Sequence, residues 1–208
     1  MMLVTKENLT QIVDSIGHYK LGLDTETFGS GVRDRLFSII ISDSNEYYFN
    51  FDYTEDHLGN KLPSESILDG KDLEYMDKHL FRDPSKVWYI HNAKFDLQKL
   101  ELEGVALEGR VHCSYVTERI LYNTAVSCSL AACAKRRGLE KDESVEKYIN
   151  KHKLYKMVQV PGKKKKEKVP FFHKVPLDIM VPYGEKDALL HSVIGMQQER
   201  LIYHGDAV

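Results

Sequence analysis

A chain of 208 residues, 42% apolar and 29% charged, has enough material for one cored domain of ordinary soluble composition. No run approaches the apolar length of a membrane span, and Lys6, Glu7 and Asp14 break any leader-like stretch, so a cytoplasmic protein with no membrane partner is expected. The three cysteines match no zinc spacing and are expected as reduced thiols; a formal net charge of −2 weighs mildly against a nucleic-acid partner, unless carboxylates gathered around cations account for it.

In chain order, Leu9, Ile12, Val13 and Ile16 fall at helical spacing, with Thr5 as a cap and Gly17 as a stop. A buried strand is expected over 20–25. The runs LFSIII and EYYFNF, separated by Asp43-Ser44-Asn45, read as an antiparallel hairpin of β-branched and aromatic residues. After a polar loop over 52–69, Leu73, Met76 and Leu80 form the inward side of a helix that Asp83-Pro84 ends. VWYIH (87–91) is a second buried strand, followed at once by a helix that closes at Gly104. A short strand over 110–113 and helices near 114–122, 128–137 and 142–150 come next.

Periodicity is lost from 151 to 174, a lysine-rich stretch with Pro161-Gly162, which reads as an exposed flexible loop inside the domain. The chain is helical again over 176–203, with Pro182 expected to kink or restart the helix. Tyr183, Asp187, Leu190, Ile194, Gln197 and Leu201 form one stripe of it, which places Asp187 on the inward side. The whole reads as a single α/β domain over 1–208, its mixed sheet built of five strands and flanked by helices.

Chemistry enters at LGLDTETFG (21–29). In a strand, residues i and i+2 point the same way, so Asp24 and Glu26 face one spot at a sheet rim. Two carboxylates held that close repel, and a divalent cation with oxygen ligands is the natural partner. Asp96, in the first turn after the second buried strand, and Asp187, on the inward stripe, are two more acids where core elements meet a rim.

LDTET, HNAKFD and YGEKD, in that order, resemble the three motifs of the DEDD superfamily of 3′→5′ exonucleases, which have the DnaQ-like, RNase H-like fold. Tyr183, four residues before Asp187, matches the DEDDy branch, which includes the proofreading domains of family A DNA polymerases and RNase D; the phage-type polymerase domains look most similar. The resemblance implies a metal-dependent exodeoxyribonuclease with Asp24, Glu26, Asp96 and Asp187 as ligands to two Mg²⁺ ions, Mn²⁺ able to substitute, and Tyr183 orienting the attacking water. It also implies the 3′ end of single-stranded DNA as substrate, in proofreading as a stand-alone polymerase subunit or an excised domain. An RNase D-like exoribonuclease and a non-catalytic polymerase-docking module are the alternatives.

Thr25 and Thr27 would hold the terminal nucleotide through backbone amides. Asn92 is either a substrate contact or a helix cap, and Phe28 either stacks on a base or belongs to the core. Lys163, Lys164, Lys165 and Lys166 are either a solvated loop or a phosphate-tracking strip.

Overall fold

The segment bearing the paired carboxylates lies inside the sheet, with a strand on each side. The computed structural model describes residues 2–29, 31, 33–123, 126–159 and 165–205. Its main sheet is formed by β1 (Met2–Leu3), β2 (Lys20–Thr27), β3 (Leu36–Ser42), β4 (Glu46–Asn50), β5 (Val87–Ile90) and β6 (Arg110–Cys113), in the order β1-β4-β3-β2-β5-β6. β2 runs antiparallel to β3 and parallel to β5; β3 and β4 form the expected hairpin. The sheet thus has six strands where five were expected. The sixth, β1, is two residues long, and Met2 and Leu3 pair in parallel with Tyr47 and Tyr48 at the outer edge. A two-residue edge strand has no alternation to detect.

Helices cover both faces, which explains why all seven residues of β3 are buried. On one face, α1 (Leu9–Ser15), α2 (Gly70–Met76, continued by a π-helical turn to Phe81) and α3 (Ala93–Leu102) pack on Leu21, Leu23, Ile39, Ile41 and Trp88. α1 begins later than Thr5 suggested: Asn8 precedes it, and the Asn8 side chain accepts from the Thr5 amide at 2.8 Å. Asp69 starts α2 with a reciprocal capping box shared with Asp72.

On the other face lie α6 (Ser144–His152) and α7 (Leu177–His204), packed on Phe37, Ile40 and Tyr48. α5 (Leu130–Arg136) packs on Leu190 and Ile194 of α7, and α4 (Ser114–Tyr122) runs between β6 and α5. Glu118, fully buried on α4, joins three helices: it accepts from Arg137 at 2.7 and 2.9 Å, Arg136 at 2.8 Å and Gln198 at 2.6 Å. Pro182 does not interrupt α7. It stands in the second turn, where its missing N–H costs one bond near the helix start, and the helix continues to His204.

α7 lies directly on β2. A Cβ at Gly22 would come within 2.1 Å of the Ala188 carbonyl oxygen, so only glycine permits this approach. Gly22, Asp24 and Glu26 share a face, and that contact therefore sets both carboxylates against the helix that carries Asp187. The segment expected as a loop over 151–174 contains a second, two-stranded antiparallel sheet, β7 (Tyr155–Val158) with β8 (Glu167–Pro170). Its exposed positions, Lys156, Met157, Glu167 and Lys168, fall in adjacent pairs, so the alternation that would mark strands in the sequence is missing.

Candidate active site

Burial and like charge dominate the electrostatics of the rim. Glu26, Asp96 and Asp187 are each buried, and Asp24 is partly so. Burial pushes the Asp24 carboxyl up to about 7, with Lys141 opposing the shift. Glu26 lies well above its ordinary range through burial, then through repulsion from Asp24 and Asp187. Asp96 is raised by burial and by Asp24. Burial raises Asp187 to about 6, with Lys141 holding it down and Asp24 pushing it up. Asp24 thus raises Glu26, Asp96 and Asp187 in turn, so β2, α3 and α7 bring these acids within electrostatic reach of it.

Each acid is held differently. Asp96 Oδ1 accepts from the Thr25 backbone amide at 3.1 Å and the Thr25 hydroxyl at 2.7 Å, which ties α3 to β2. Asn92, just before α3, is exposed, has a left-handed backbone (φ 62°) and makes no side-chain cap bond. That turn lets the chain leave β5 and enter the helix within three residues. Asp187 Oδ2 pairs with Lys141 at 2.9 Å, while its Oδ1 is buried with no partner among the described residues. One turn beyond, His191 Nδ1 bonds the Leu23 carbonyl at 2.7 Å, a second tie between α7 and β2.

Tyr183 is buried, and its hydroxyl lies 2.9 Å from Lys141 Nζ and 3.2 Å from Glu146 Oε1. Burial, then Glu26 and Asp187, raise its phenol far above the ordinary tyrosine range. A group so reluctant to ionise suits orientation, not proton removal. Lys141 also stands over the Tyr183 ring, 4.2 Å from its centroid, and bonds Glu146 at 3.2 Å. Sequence reading missed Lys141 and Glu146. Both lie in a charged stretch, EKDESVEK, where nothing local distinguishes inward from outward side chains.

Thr25 and Thr27 are buried; the Thr27 hydroxyl donates to the Gly29 carbonyl at 2.7 Å. Phe28 packs edge-on to Phe37 at 5.4 Å and beside His173 at 4.9 Å. A cavity of about 220 Å³ opens beside the carboxylates, lined by Thr25, Glu26, Thr27, Phe95, Pro170 and Phe172. Pro170 and Phe172 come from the end of β8 and the turn after it, so the small second sheet forms part of the site's wall. Lys165 and Lys166 are exposed, whereas Lys163 and Lys164 lie outside the described residues.

The donor set fits a hard divalent cation in type and charge. It consists of carboxylates alone, the affinity of Glu26 and Asp96 for protons is raised by burial and then by repulsion from Asp24, and one buried Asp187 oxygen has no partner among the described residues. Among those residues no three potential ligands converge into a single cage; Lys141 supplies the positive charge at Asp187.

A family model described as a 3′–5′ exonuclease, of the DNA polymerase A exonuclease type, matches residues 2–194. The chain belongs to this 3′–5′ exonuclease family. Solved exonuclease structures share its fold. Brucella melitensis NrnC with bound Mg²⁺ aligns at a TM-score of 0.56 and 19% identity, over 93% of this chain and 78% of that one. Escherichia coli RNase D, titled an exoribonuclease involved in structured RNA processing, aligns at 0.59 and 16%, over 98% of this chain and 46% of its own. The catalytic core of Trypanosoma brucei RRP6 aligns at 0.60 and 14%, over 96% and 46%. The chain thus spans about half the length of the last two. No curated protein matches the sequence significantly. The exonuclease has the RNase H-like architecture expected from its motifs. Among the described residues, no helix is long and apolar enough to cross a membrane.

Proposed function

We propose that this exonuclease removes nucleotides from the 3′ end of single-stranded DNA, and that it serves proofreading as a polymerase's separate subunit or exonuclease domain. The observation that carries the catalytic reading is that β2, α3 and α7 bury Glu26, Asp96 and Asp187 within electrostatic reach of Asp24, Asp96 being tied to β2 through Thr25, beside a buried Tyr183; burial raises all four carboxyls, and Asp24 adds repulsion at the other three. A docking module that had lost catalysis would have no need to keep four repelling acids in place. The match to a polymerase-type exonuclease model favours DNA.

Asp24, Glu26, Asp96 and Asp187 would hold two Mg²⁺ ions, or Mn²⁺ in their place. Such ions supply an activated water nucleophile and stabilise the leaving 3′ oxygen. The chain's own residues do the rest. Thr25 and Thr27 line the cavity that takes the terminal nucleotide, where Phe95 and Phe172 offer aromatic faces to its base. Tyr183 orients the attacking water. Asp96 is held by Thr25, so the strand that lines the nucleotide cavity also fixes a ligand. Lys165 and Lys166, with Lys163 and Lys164, carry the upstream phosphates, and Lys135, Lys147 and Lys186 line an open groove next to Lys141.

The fold neighbours NrnC, RNase D and RRP6 favour a second reading, an exoribonuclease acting on RNA 3′ ends. Labelled single-stranded DNA and RNA of one sequence, offered with Mg²⁺ to wild type and Asp187→Ala, separate the two. The expected result is faster digestion of DNA and none by the variant. Preference for RNA by more than about tenfold, ~1.4 kcal/mol in the barrier, overturns the DNA assignment.

A further inference from the structure

We propose that Glu146 is a positioning residue for the reaction: it holds the hydroxyl proton of Tyr183, so that the phenol oxygen meets the attacking water only as a hydrogen-bond acceptor. The inference rests on the exonuclease reading and adds a residue to it. Lys141 Nζ is 2.9 Å from the Tyr183 oxygen, and Glu146 Oε1 is 3.2 Å from it. An ammonium has donors only and a carboxylate acceptors only. Lys141 has three N–H groups, and its two shortest contacts, 2.9 Å each, are to Asp187 Oδ2 and this phenol oxygen; the phenol therefore accepts from Lys141 and donates to Glu146. One lone-pair direction is left on the oxygen. A water bonded there has to donate a proton to it, which leaves the water's own lone pairs free for phosphorus. Without Glu146 the hydroxyl can turn and donate to the water or to Asp187, and the water's orientation is lost.

A second observation points the same way. Glu146 projects from the first turn of α6 with its stem open to solvent, its side chain 44% exposed, yet its Oε2 is covered and has no partner among the described residues. Covered polar atoms are normally hydrogen-bonded, so a covered carboxylate oxygen on a half-exposed side chain marks a group held inward by its other contacts. Here Lys141 and Tyr183 hold the group inward at 3.2 Å each.

The test is a double-mutant cycle on a 5′-labelled single strand with Mg²⁺, together with NMR of protein labelled at the tyrosine ¹³Cζ. Tyr183→Phe identifies the Tyr183 resonance by its loss. Glu146→Ala should lower kcat about tenfold, as for one lost hydrogen bond to a charged group, with KM changed less than twofold. Glu146→Gln, which keeps an acceptor oxygen, should restore most of that. In the Tyr183→Phe background, Glu146→Ala should change kcat by less than twofold. The Tyr183 resonance should shift in Glu146→Ala and less in Glu146→Gln. Losses that multiply across the two sites, or a resonance that Glu146→Ala leaves in place, would overturn the role of Glu146 while the exonuclease reading stands. A wild type that digests neither DNA nor RNA sinks that reading and this role with it, even where the resonance moves.

Discussion

Replacing Gly22 with alanine tests whether the close approach of α7 to β2 sets the site. The added Cβ would stand 2.1 Å from the Ala188 carbonyl oxygen, 3.1 Å from its carbon and 3.2 Å from Ser192 Cβ. Ordinary contact begins near 3.4 Å, and the nearest atom is backbone, so rotamer changes cannot relieve the clash. The helix has to move away by about 1 Å, carrying Tyr183 and Asp187 from Asp24 and Glu26. Overpacking of this kind costs about 1–3 kcal/mol, and an ångström of misplacement in a catalytic array costs about 10²-fold in rate. Gly184→Ala is the control. It lies on the same helix, but the atoms nearest its new Cβ belong to the Ile40 and Tyr48 side chains, at 3.0 Å and beyond, and a side chain has to give by only a few tenths of an ångström there. The gain of about 1 kcal/mol from replacing a mid-helix glycine offsets much of that strain. Denaturant unfolding and the digestion rate should therefore show Gly22→Ala less stable and slower by about two orders of magnitude, with Gly184→Ala near wild type. A Gly22→Ala protein that keeps wild-type rate and stability would refute the view that this contact registers the acids.

Several further measurements bear on the site and its frame. Asp24 and Asp187 have carboxyls raised to about 7 and about 6, so the stability they contribute is complete below their unfolded value of 3.8 and is lost as pH rises through those values. In EDTA, the Tm of wild type should fall between pH 5 and 8, and Asp24→Asn should flatten that fall; scanning calorimetry checks it. At pH 8, Mn²⁺ should raise the Tm of wild type more than that of Asp24→Asn, because the ion binds a folded site that the variant has weakened. Glu118→Ala leaves the Arg137 guanidinium, 3% exposed, without its carboxylate and should cost about 3–5 kcal/mol in chemical denaturation. Changing Lys163, Lys164, Lys165 and Lys166 to serine should weaken single-strand binding and flatten its dependence on salt, read by fluorescence anisotropy across a salt series.

Strong local patterns made most elements legible. The five strands with apolar runs and the helices with 3.6-residue spacing occur where the sequence places them, because burial on two faces leaves a long hydrophobic record. The inward aspartate of α7 was visible because an acid on an apolar stripe is anomalous by itself. Features defined by distant partners left no such record. β1 exists only because Tyr47 and Tyr48 offer it an edge. β7 and β8 carry lysines that read as a solvated loop. Lys141 and Glu146 resemble their charged neighbours, and only the fold brings them to Tyr183. Phe28 and Phe172 illustrate the same limit: an aromatic residue next to the motif packs beside Phe37, while one far along the chain lines the cavity.

On the proposed mechanism the long helix α7 completes the nuclease, since β2 and α3 carry three of the acids and α7 carries Asp187 and Tyr183. A chain emerging from the ribosome is thus harmless to nucleic acid until this helix has cleared the exit tunnel and docked. The same dependence runs in reverse under stress. Undocking of this one helix would disarm the enzyme and strip the sheet face that carries Phe37, Ile40 and Tyr48, so cutting and sheet signal should be lost together on heating or in denaturant.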